Sequence, residues 1–175
     1  LDAVSLDTFH FAVNAVRPSL IRVEADEATY NLHIIIRFDL EQQLIDGTLS
    51  VDDLPEVWNQ RYASDLGVTP DSDANGVLQD VHWSAGLIGY FPTYALGNLI
   101  AAQLFTAAQQ QLGDLETMFA SGDFTPLLNW LRAKVHQHGR CLGSGELVQA
   151  ATGSPLSADH LVQYLQSKLR PLYGL

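Results

Sequence analysis

"EADEATYNLHIIIRFDLEQQLIDG", residues 24–47, decides the fold class. Glu24, Asp26 and Glu27 crowd its start, where carboxylates meet the positive end of a helix dipole. Gly47 is placed as the C-cap, the residue type that adopts a left-handed backbone at no steric cost. Between them, Leu32-His33-Ile34-Ile35-Ile36 is apolar on several sides, so the segment is expected to be a central helix rather than a surface one. The flanking sequence repeats the pattern. Val, Ile and Thr are not gathered into alternating runs, and no Asn-Gly or Asp-Gly pair links two strand-like segments. Further helices are expected over residues 6–16, ending before Pro18, and over 52–66, capped by Asp52 or Asp53 with Pro55 in the first turn. "GVTPDSDANG", residues 67–76, is a loop. Helices then follow over 94–112, 114–121, 125–138 (Thr125 as N-cap, Pro126 at N1), 146–151, and from Ser157 to before Pro171. The expectation is an all-α helical bundle forming a single domain over residues 1–175.

At 175 residues and 47% hydrophobic, the chain can fill one sizeable core. Its net charge of -11, with nine Lys and Arg and no basic run, excludes nucleic acid as a partner, because phosphate binding needs a basic surface. Seven acids lie between residues 51 and 80 (Asp52, Asp53, Glu56, Asp65, Asp71, Asp73, Asp80) against Arg61 alone. They do not match an EF-hand loop, which needs a Glu at position twelve, so a solvated acidic face is expected over a calcium site. Cys141 is the single cysteine, so no disulfide can form within the chain and a reducing, cytoplasmic setting is the default. No signal sequence is evident, and no apolar stretch of about 20 residues could cross a bilayer. The first residue is Leu and the only methionine is Met118, which suggests a piece of a longer protein.

The residues alone complete no catalytic constellation. No two of the six histidines have the i, i+4 spacing of a His-Glu-x-x-His zinc helix, and His136 and His138, two apart, diverge on a helix. "GSG" at 143–145 lacks the Gly-x-Ser-x-Gly elbow, and "GRCLGSG" lacks the ending of a phosphate loop. Two polar segments stand out in apolar surroundings. In "SLIRVEADEATYNLHI", residues 19–34, Arg22 precedes a crowd of carboxylates and either pairs locally with Glu24 or Asp26 or serves a ligand. In "GVLQDVHWSAGLIGYFPTYALGN", residues 76–98, Asp80 could hold one nitrogen of His82, fixing its tautomer and leaving the other for a ligand; a core histidine is the alternative. Tyr90 and Tyr94 share a helical face only if a helix runs through Pro92, where a kink or fresh start is expected.

"IRVEADEATYNLHIIIRFDLE", residues 21–41, and the 76–98 stretch closely resemble signature segments of the carboxypeptidase Taq family, and the likeness extends from "AVRPSLIR" to the C-terminal "LRPLYG". The resemblance implies an all-helical, zincin-like, metal-dependent exopeptidase that removes C-terminal residues from peptides, usually as a homodimer, with zinc or cobalt bound. In that family a His-Glu-x-x-His helix and a downstream Glu hold the metal, and both lie upstream of the matching part. The chain is therefore expected to be the C-terminal part of such an enzyme, to hold no metal by itself, to need the missing N-terminal polypeptide as a partner, and to be inactive alone. Arg22 matches the Arg of the family's Ile-Arg-x-x-Ala-Asp motif and is the expected anchor for the substrate carboxylate. His82 and Tyr94 are the expected donors to the tetrahedral intermediate, with Gln79 and Asp80 orienting them and Tyr90 beside the substrate. The competing reading is a stand-alone helical module that binds peptides or dimerises without chemistry.

Overall fold

The computed structural model describes residues 3–175, and among these it is all-helical. The described residues divide into two compact units, one running to residue 95 and one over residues 96–175, with the division falling inside one helix. Among the described residues no helix is long and apolar enough to cross a membrane.

The first unit contains α1 (Leu6–Val13), a 3-10 turn (Arg22–Glu24), α2 (Tyr30–Asp46), α3 (Leu54–Leu66) and the start of α4 (Pro92–Leu112). Its core is Ile36 and Leu40 of α2 against Leu54, Trp58, Tyr62 and Leu66 of α3, closed by Leu49 and edged by Trp83. The spacing of the α3 residues, four apart, gives that helix one apolar face. Gly47 and Gly67 end α2 and α3 with φ of 79° and 71°, the left-handed cap conformation.

Two expected boundaries move here. α1 stops at Val13 rather than residue 16, where the Asn14 side chain turns back to donate to the His10 carbonyl. α2 begins at Tyr30 rather than near Glu24, so the three acids precede the helix. Asp26 is the cause: its carboxylate accepts from the backbone N–H of Ala28 and Thr29 at 2.9 and 3.0 Å and from the Thr29 hydroxyl at 2.9 Å. An Asp that satisfies backbone donors locally competes with helix, and here it builds a turn that launches one.

The second unit contains the rest of α4, α5 (Leu115–Ala120), α6 (Thr125–Lys134), a 3-10 turn (His136–His138), α7 (Ser144–Thr152) and α8 (Asp159–Tyr173). Ala107, Ala108, Leu115 and Trp130 form its core, with Leu104, Phe119 and Leu127 against them. Buried Gln103 holds the turn after α7: its amide donates to Thr152, Ser154 and Pro155 oxygens, and its carbonyl accepts from Ser157 N–H. α6 ends before residue 138, in the 3-10 turn. α8 runs through Pro171, contrary to expectation. Proline in a last turn removes a single helical bond, and the Gly174 and Leu175 N–H groups close the end onto Arg170 and Pro171 carbonyls.

Candidate functional site

The two polar segments meet in the first unit. Gln79 does the joining: its carbonyl accepts from Arg22 N–H at 2.9 Å, and its amide donates to the Leu20 and Asn75 carbonyls, both at 3.0 Å. The Arg22 Nε and Nη2 then both reach Asp80 Oδ1, at 3.0 and 2.6 Å, while Nη1 donates to the Tyr30 hydroxyl at 3.1 Å. The other Asp80 oxygen accepts from Arg37 Nε at 2.6 Å. Arg37 is wholly buried, donates to the His33 carbonyl and Tyr62 hydroxyl, and lies over the Trp58 ring at 4.7 Å. One carboxylate thus bridges two guanidiniums inside the core.

The electrostatics follow from that count of charges. Burial pushes the Asp80 carboxyl up, but the hydrogen bond from Arg22 and the charge and hydrogen bond of Arg37 outweigh it and hold Asp80 below its ordinary value. Burial also works against the Arg22 cation, but Asp80, joined by Tyr30, more than compensates, so Arg22 stays charged. Burial, with the charges of Arg37 and Arg22, drives the His33 imidazole down to about 4, so His33 is neutral near pH 7. Burial raises the Tyr62 phenol, which Arg37 only partly offsets.

Next to this pair sits an aromatic cluster. The Arg22 guanidinium lies 5.0 Å from the centre of the Tyr94 ring, and the Tyr94 hydroxyl is 3.0 Å from His82 Nε2. The His82 ring, 7% exposed, packs on Phe91 at 4.4 Å and lies 5.7 Å from Tyr90. Tyr90 precedes α4, which starts afresh at Pro92, and its ring meets Tyr94 edge-on at 5.4 Å. Arg22, Gln79, Asp80, His82, Tyr90 and Tyr94 are therefore all brought together.

Their couplings differ from the sequence expectation in three ways. Arg22 pairs with neither Glu24 nor Asp26 but with Asp80, which lies 58 residues on. Asp80 does not hold His82: the separation from Nδ1 is 3.7 Å, too long for a hydrogen bond, because the two arginines have taken both oxygens. Gln79 and Asp80 orient Arg22 rather than His82 and Tyr94, and the nitrogen expected to face a ligand faces Tyr94. Sequence reasoning missed Tyr30, Arg37, Glu41 and Tyr62. The signal for Arg37 was present as a cation ending the "HIIIR" run of a helix read as central, where a charge must find a partner.

Among the described residues, no three His, Cys, Asp or Glu side chains gather in a group that could hold a metal ion. The donor set here is two guanidiniums, a carboxylate bonded to both, an imidazole and phenols, which suits an anion or a carbonyl oxygen and not a divalent cation.

Comparison with known proteins decides the lineage. A family model described as "Carboxypeptidase Taq (M32) metallopeptidase" matches residues 1–169. The chain belongs to the carboxypeptidase Taq family. Thermostable carboxypeptidase 1 of Thermus thermophilus is 55% identical over 174 residues, covering 99% of this chain and 34% of the relative. Carboxypeptidase 1 of Bacillus subtilis is 47% identical over 98% of this chain and 34% of its own length. The crystal structure of an M32 carboxypeptidase from Deinococcus radiodurans R1 superimposes with a TM-score of 0.97 at 45% identity, covering 100% of this chain and 35% of that one. The chain spans about a third of the length of these carboxypeptidase Taq relatives.

Proposed function

We propose that these residues form the C-terminal, substrate-facing part of a metal-dependent carboxypeptidase that removes C-terminal residues from peptides. The family match over residues 1–169 carries the reading. The gathering of Arg22, Tyr94 and His82 supports the roles.

Arg22 anchors the α-carboxylate of the substrate. Asp80 holds the guanidinium by its Nε–Nη2 side, Tyr30 takes one Nη1 hydrogen and Gln79 holds the backbone N–H, which leaves one N–H each on Nη1 and Nη2. A planar fork of two N–H groups matches a carboxylate in geometry and charge. In the tautomer that carries the proton on Nε2, His82 donates to the Tyr94 oxygen, and the Tyr94 O–H is left to donate outward to the oxyanion of the tetrahedral intermediate. Tyr90, 43% exposed beside Tyr94, lines the path of the peptide. The metal, zinc or cobalt, supplies Lewis-acid activation of water and carbonyl when bound, through ligands elsewhere in the polypeptide. The 175 residues alone do not hydrolyse peptides, and the complete enzyme is a cytoplasmic homodimer.

Steady-state kinetics of the complete enzyme test the roles. Arg22→Ala should chiefly raise KM for a peptide with a free C-terminus. His82→Ala should chiefly lower kcat, by about 10²–10³-fold if the pair donates to the intermediate. Wild-type constants in either variant refute that residue's role.

A further inference from the structure

Glu41 is a buried carboxylate that the site so far described does not use. It lies on α2, four residues after Arg37, and is 4% exposed. Its two oxygens accept from two points of one loop: Trp83 Nε1–H to Oε2 at 2.7 Å and Gly89 N–H to Oε1 at 2.6 Å. Those points bracket the segment that follows His82. The loop also closes on itself, with Leu87 N–H donating to the His82 carbonyl at 2.8 Å and Gly86 N–H to that of Trp83 at 3.0 Å. Gly89 holds φ 77°, a left-handed conformation that other residues adopt only with strain. The Trp83 ring is wedged edge-on against Trp58 and Phe91, and Phe91 is the surface on which His82 lies.

We propose that Glu41 is a positioning residue: by clamping Trp83 and Gly89 to α2, it fixes the loop so that His82 stays on the Tyr94 hydroxyl during turnover. A carboxylate receiving two N–H bonds is a stronger tie than neutral acceptors would be. The clamp shares no hydrogen bond with the one on Arg22, which runs through Gln79 and Asp80 to Leu20 and Arg37; the two meet only through ring contacts of Arg37 with Trp58 and Phe91 and of Arg22 with Tyr94. Loosening Glu41 therefore disturbs the oxyanion donor and spares the carboxylate anchor.

The proposal rests on the carboxypeptidase reading and is tested in the complete enzyme. Glu41→Gln keeps the shape but replaces one acceptor with an NH2 group, which opposes one of the two N–H donors. Misplacement of a catalytic group by about 1 Å can cost about 10²-fold, so kcat should fall by about 10- to 100-fold. KM should stay within about twofold, the pattern of a lost transition-state interaction. Adding Trp83→Phe removes the opposing indole N–H, so the double variant should recover to the kcat of Trp83→Phe alone, a strong non-additivity between contacting residues. A merely structural role predicts a double variant slower than either single one. Unchanged kcat in Glu41→Gln, or absence of that recovery, overturns the proposal. Where Glu41→Gln does not fold, Trp83→Phe decides by itself: a kcat loss of about threefold or more at constant KM supports the clamp, and wild-type kcat overturns it. A wild-type enzyme with no peptidase activity would instead refute the carboxypeptidase reading. The clamp is then read from the His82 imidazole resonances of protein labelled with nitrogen-15 histidine. They should move in Glu41→Gln and return in the double variant, and stationary resonances overturn the proposal.

Discussion

Asp80 touches both Arg22 and Arg37, and its side chain is only 10% exposed. Removing such a carboxylate strands two cations in a low dielectric, and breaking a buried pair in this way costs about 3–5 kcal/mol. Asp80→Asn should therefore lower the unfolding free energy by that order in denaturant titration, far more than an exposed ion pair such as Arg61 with Asp65 would give. The same cluster sets an acid limit. His33 titrates at about 4 in the fold against 6.5 unfolded, so the unfolded chain binds the extra proton between those values. Stability from His33 is complete above pH 6.5 and is lost as pH falls toward 4. The depressed Asp80 acts in the same direction at lower pH. The melting temperature should fall steadily from pH 6.5 to 4, and His33→Gln should flatten that slope; an unchanged slope would mean that His33 does not carry it. Sequence gave the residue types Arg22, Asp80 and His82 but not their pairing. Partners 58 residues apart follow from packing, and two arginines outbid an imidazole for one carboxylate in a way that spacing does not encode.

At the scale of elements, α2 bears most of the argument. His33, Arg37 and Glu41, each four residues from the next, put three polar side chains on one buried face of a helix whose other turns supply Ile36 and Leu40 to the core. The central helix was legible from its apolar middle, and so were the helix ends at Gly47 and Gly67, because only glycine takes the left-handed cap without strain; the polar face of His33, Arg37 and Glu41 was not read. The start of α2 was not, since acids suit a first helical turn and a preceding Asx turn equally well. Asp26 settles it by collecting the Arg17, Ala28 and Thr29 backbone donors. Asp26→Ala should cost about 1–2 kcal/mol, the upper range for loss of a capping side chain, measured by chemical denaturation. A loss below about 0.5 kcal/mol would show that the turn holds without it. Pro171 misled for a different reason: proline forfeits its own helical bond, but α8 ends two residues later at Tyr173, closed by the Gly174 and Leu175 N–H groups.

For the whole molecule, the all-helical class was readable from the helix patterning along the chain and the family from two long motifs. The donor set gathered around Arg22 has the chemistry of an anion and oxyanion site, and its proposed role is to face the C-terminus of a peptide. The most direct test is a crystal structure of the complete enzyme with a product amino acid bound. A carboxylate oxygen should lie within about 3 Å of Arg22 Nη1 or Nη2, with the Tyr94 hydroxyl turned toward the scissile end. A product bound with its carboxylate on another cation, and with Arg22 engaged only by Asp80 and Tyr30, would contradict it.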